Sequence, residues 1–85
     1  MISRKFEGKA NVVGPNIKKI RKDMNLSRAE LSNKLMMLGI DINYDSIYKI
    51  ENGNRIVKDF ELSALARVLN TTETDLLNNF RKKLG

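Results

Sequence analysis

Apolar side chains recur along this chain in steps of three and four, in runs separated by residues that start or stop helices. Ile17, Ile20 and Met24 form the first stripe. Gly14 and Pro15 open it, since proline suits a first helical position, and Asn25 ends it. Ser27 can cap a second helix over about Arg28 to Leu38, in which Leu31, Leu35 and Leu38 share a face. Gly39 supplies the left-handed residue that ends it. Ile40, Asp41 and Ile42 then alternate, and Asn43 caps a third helix over about Tyr44 to Asn52, with Ile47 and Ile50 inward and Gly53 as its stop. Asp59 can cap a fourth helix carrying Leu62, Leu65, Ala66 and Leu69, and Asn70 ends that one. Thr72 with Asp75 resembles a capping box opening a fifth helix over about Glu73 to Lys83.

The pattern predicts an all-α domain of five helices over residues 14–85, preceded by an arm over residues 1–13. In the arm, Ile2, Phe6, Val12 and Val13 are the sizeable apolar residues and show no clean period, so it reads as mobile or partly docked. Leu38, Ile40 and Ile42 keep an inward-facing pattern, which predicts that the connection between the second and third helices packs. Met24, Met36 and Met37 read as core or groove filler.

Composition narrows the chemistry. At 85 residues the chain holds one domain, too small for an enzyme with a deep cleft. It has no cysteine and no histidine, which removes disulfides, most transition-metal sites and most nucleophile–base pairs. No cofactor is expected. There is no apolar run long enough to span a bilayer and no signal-peptide pattern, which points to the cytoplasm. The net charge of +6 is uneven: up to Ala29 there are eight bases (Arg4, Lys5, Lys9, Lys18, Lys19, Arg21, Lys22, Arg28) against two acids, and the rest of the chain balances. A one-sided surplus of this kind is either a solvated face or the footprint of a polyanion.

Two short helices joined by a glycine turn, over Ser27 to Arg55, have the form of a helix-turn-helix. From Val13 to Leu77 the sequence resembles the lambda-repressor-like helix-turn-helix family, of the Cro and repressor (XRE) type. Four segments in order carry the likeness: IKKIRKDMN (17–25), LSRAELSNKL (26–35), IYKIENGNR (47–55) and ELSALARVLNTTETDLL (61–77). One departure stands out. Where most members have a short Gly-Val-Ser connection, this chain inserts residues on both sides of Gly39, which predicts a second helix longer by about one turn and a wider turn.

The resemblance implies a regulator that binds duplex DNA, as a homodimer on its site, and assigns Tyr44, Asp45, Tyr48 and Lys49 to base contact. Lysine can donate to guanine and aspartate can accept from cytosine. Against this, Asp45 also suits the helix dipole and the tyrosines could be packing residues. Ser27 and Arg28 lie where helix N–H groups suit a phosphate, and Asn43 occupies the corresponding start of the third helix. In the family, the loop holding Asn52, Asn54, Arg55 and Lys58 grips phosphate; Ser27 could equally be only a cap and Arg55 only a solubilising group. Glu51 should pair with Arg21, again by resemblance, and Ser32 stands where the family usually has alanine, so its hydroxyl needs a local acceptor. Phe80 and Leu84 are candidates for a dimer contact or for folding back onto the first helix or the arm. The competing function is an antitoxin-like or anti-regulator module that uses the same fold to bind a protein.

Overall fold

The computed structural model describes residues 5–85, so Ile2 and Arg4, counted above in the arm, lie outside the described residues. Six helices follow in order: α1 (Gly14–Asp23), α2 (Arg28–Met37), α3 (Tyr44–Glu51), α4 (Asp59–Val68), α5 (Glu73–Leu76) and α6 (Asn78–Lys83). The domain is all-helical among the described residues. α3 packs against both α1 and α2, and α4 covers α2 and meets α5. Ile17, Leu31, Leu35, Ile42, Ile47, Ile50, Leu65, Leu69 and Leu76 fill the space between them and are fully buried.

The first four helices end in one way. At the close of α1, α2, α3 and α4, Asn25, Gly39, Gly53 and Asn70 take positive φ (57°, 79°, 77° and 54°). In each, the next amide reaches back to a carbonyl in the last turn, as in Leu26 to Arg21, Ile40 to Leu35, Asn54 to Lys49 and Thr71 to Ala66. Three starts are also capped by side chains: Glu30 N–H on Ser27 Oγ, Ser46 N–H on Asn43 Oδ1 and Asp75 N–H on Thr72 Oγ1. At α2, Glu30 reciprocates by accepting from the Ser27 N–H, a full capping box that holds the Glu30 carboxyl below its ordinary range.

Several expectations need correction. α4 is capped from Lys58, not Asp59: Glu61 Oε1 accepts the Lys58 N–H at 3.0 Å, and Asp59 is already the first helical residue. The fifth helix is two, broken at Leu77, whose N–H is shared between the Glu73 and Thr74 carbonyls at 3.1 and 3.2 Å. That tightened turn lets Leu76 enter the core while α6 turns away. Met24 and Leu38 are exposed rather than inward, and Met36 and Met37 are surface residues, Met37 being 86% exposed. α2 ends at Met37 and the chain swings back through Ile40 and Ile42, which leaves Met36, Met37 and Leu38 exposed at the end of the helix. The acceptor of the buried Ser32 hydroxyl lies ten residues on, at the Ile42 carbonyl 2.7 Å away. That bond ties α2 to the wide turn.

The described part of the arm is docked. Phe6 and Lys9 exchange backbone hydrogen bonds of 2.8 and 3.0 Å around Glu7 and Gly8, both at positive φ, a tight hairpin turn. The Phe6 ring meets Phe80 edge-on, with centroids 5.0 Å apart.

Candidate nucleic-acid interface

Burial of Ile47 and Ile50 on the inner side of α3 turns the opposite side of the helix outward. Tyr44, Asp45, Tyr48 and Lys49 all stand on that exposed side, the two tyrosines half exposed. They form one strip of hydroxyl, carboxylate and ammonium groups over two helical turns. Asp45 lies in the first turn, where the helix dipole favours it whatever else it does.

Beneath this strip lies a buried cluster of charge. The Glu51 side chain is fully buried and receives Arg21 Nε at 2.6 Å, Arg21 Nη2 at 3.2 Å and Arg28 Nε at 3.0 Å. Arg21 Nη1 also donates to the Leu26 carbonyl at 2.8 Å, so both arginines are tied and no buried side-chain polar atom is left unpaired among the described residues. Arg21 belongs to α1, Arg28 to the start of α2 and Glu51 to the end of α3, so one carboxylate joins three helices. The Arg21 and Glu51 expected to pair are brought together. Sequence reasoning missed the second arginine.

Arg28 has two further neighbours. Its guanidinium lies 5.0 Å from the Tyr48 ring centroid, and the hydrogen bond to Glu51, with a smaller contribution from Tyr44, holds its pKa above the ordinary value. Arg28 therefore touches the exposed strip at Tyr48 as well as lying at the amino terminus of α2 beside Ser27. Half-buried Arg55 is held by Glu61 in a two-pronged pair of 2.9 and 3.0 Å and also donates to the Ile56 carbonyl. The pairing raises the Arg55 pKa and lowers that of Glu61. Asn54 and Lys58 remain exposed on the same loop, with Asn52 half buried at its start.

The carboxy-terminal candidates are apart from this face. Phe80 is half buried against Phe6, one of the two expected fates, while Leu84 is exposed. Lys9, Ala10 and Asn11 bond to the end of α3, a contact the sequence reading did not foresee. Its one visible signal is an asparagine three residues before the Gly14 amide, a spacing that suits a side-chain turn.

A model of the helix-turn-helix family matches residues 17–76, most of the chain and all of the geometry from Arg21 to Leu76. The chain belongs to the lambda-repressor-like helix-turn-helix family. No curated protein matches it. Among the described residues, no helix of this family member is long and apolar enough to cross a membrane.

Proposed function

We propose that this protein is a sequence-specific duplex-DNA-binding regulator of transcription, a repressor of the bacterial or phage kind, acting in the cytoplasm. The observation that carries the reading is the outward strip Tyr44, Asp45, Tyr48 and Lys49, set on a helix whose inner end is clamped by buried charge. A rigid helix with donors and acceptors on its free side is what major-groove readout requires. Ser27, Arg28 and Asn43 flank the strip at two helix starts, and Asn52, Asn54 and Lys58 follow it; these are the proposed phosphate contacts. Arg55, neutralised by Glu61, supports the loop's shape more than its charge. Repression needs no catalysis, since a bound domain excludes other proteins from the same stretch of duplex.

One copy offers one α3, so specificity at a genomic site calls for two copies on a near-palindrome. Exposed Leu84 is the proposed apolar contact between copies, with Phe80 completing it from its place beside Phe6.

The reading is tested by fluorescence anisotropy with duplex DNA from low to physiological salt. With roughly four to eight phosphates contacted per monomer, the logarithm of affinity should fall against the logarithm of salt with a slope of similar size. A flat dependence, or no duplex binding at low salt, rejects it in favour of a module that binds a protein.

A further inference from the structure

Residues Lys9, Ala10 and Asn11 precede the matched family region, yet they bond to the backbone where α3 ends. A helix leaves its last carbonyls without donors from within. In α3 the Gly53 turn returns amides to the Lys49 and Ile50 carbonyls, and the carbonyls that follow must find partners elsewhere. Ala10 N–H donates to the Gly53 carbonyl at 2.7 Å and Lys9 Nζ to that of Asn52 at 3.2 Å. Asn11 does more. Its Nδ2 donates to the Ile50 carbonyl at 3.0 Å and to the Arg55 carbonyl at 2.8 Å, while its Oδ1 accepts the Gly14 N–H at 2.8 Å. One amide thus joins the start of α1, the last turn of α3 and the loop beyond it.

The surroundings leave little slack. A Cβ on Gly14 would collide with the Ile50 carbonyl, so α1 begins directly against the backbone of α3. A Cβ on Gly53 would come within 2.6 Å of Lys9 Cδ, so the lysine stem lies flat over the turn. Phe6 and the Lys83 to Glu7 ion pair of 2.6 Å anchor the other end of the same segment on α6.

We propose that Lys9 to Asn11 form a strap that sets the pose of α3 and its following loop on DNA, with Asn11 as the positioning residue. The inference rests on the DNA-binding reading above. Base readout demands placement to a fraction of an ångström, whereas attraction to phosphate is long-ranged and tolerant. Losing the strap therefore costs discrimination before it costs affinity for duplex in general.

The test compares the full chain with Asn11→Ala and Asn11→Asp. The aspartate keeps an acceptor for the Gly14 N–H and removes both donors, so the start of α1 stays capped if the alanine variant folds poorly. Each is titrated with a selected site and with a scrambled duplex, and amide exchange is followed at Gly53 and Asn54. Expected are the parent's helical content, faster exchange at those two amides, and a fall in the ratio of selected to scrambled affinity of roughly five- to fifty-fold, the scale of one impaired base contact. If the parent binds no duplex, the DNA reading itself fails and the strap's role in it falls too. If the parent discriminates and both variants discriminate equally well, or exchange at Gly53 and Asn54 is unchanged, the strap alone is overturned.

Discussion

The fully buried Glu51 carboxylate accepts hydrogen bonds from buried Arg21 and from partly exposed Arg28, and the balance of charge there decides what each substitution does. Removing the carboxylate strands the buried Arg21 guanidinium, whereas removing Arg21 and Glu51 together leaves only Arg28, whose side chain is partly exposed and can turn to water. Glu51→Leu should therefore cost about 3–5 kcal/mol in urea unfolding, and Arg21→Met with Glu51→Leu should cost less than the sum of the two single changes. Strict additivity would mean that the pair contributes nothing as a pair. This site was legible in part. Arg21 and Glu51 fall within segments whose spacing matches the family, but Arg28 reaches Glu51 only because α2 starts beside the end of α3, and no local pattern records that approach.

Helix ends were more readable than helix faces. Asn25, Gly39, Gly53 and Asn70 tolerate the left-handed geometry that terminates a helix, a local property carried by the residue itself. Gly39 gives the clearest check, because a Cβ there would meet nothing within 4 Å and any loss would come from backbone strain at φ 79°. Gly39→Ala should cost about 1–2 kcal/mol, read as a lower urea midpoint with an unchanged slope. A neutral substitution would mean that the turn relaxes freely. Faces depend on neighbours, so they misled. Leu38 continues the spacing of Leu31 and Leu35 yet is exposed, because the chain leaves α2 one residue earlier and turns back at Gly39. The break at Leu77 was hidden for a related reason, since Leu76, Leu77, Phe80 and Leu84 keep a helical spacing through it.

At the scale of the whole molecule, two attachments hold the loop after α3, one from the arm, distant in sequence, and one from α4, six residues on. The α4 attachment titrates. Arg55 and, less strongly, the Lys58 N–H keep the Glu61 carboxyl below its ordinary value of 4.5, so its stabilising contribution is complete above that range and is lost as pH falls through the lowered folded-state value. Thermal midpoints followed downward from neutral pH should drop along an acid limb that Glu61→Gln makes shallower. An identical limb in the variant would show that the pair does not contribute to acid sensitivity. The arm attachment escaped sequence reasoning because Asn11 joins residues 39 and 44 positions away, and a polar residue in a segment without apolar period gives no sign of such partners.

Whether the exposed strip of α3 reads bases, two copies at a time, is decided by selection from a randomised duplex pool run on the parent and on Lys49→Ala. The parent should enrich a near-palindrome with half-sites about one helical turn apart. The variant should enrich the same motif with preference lost at one base position in each half-site, at a cost of about 1–3 kcal/mol on the parent's best sequence. No enrichment by the parent, or an unaltered motif with Lys49→Ala, would mean that this strip does not read bases.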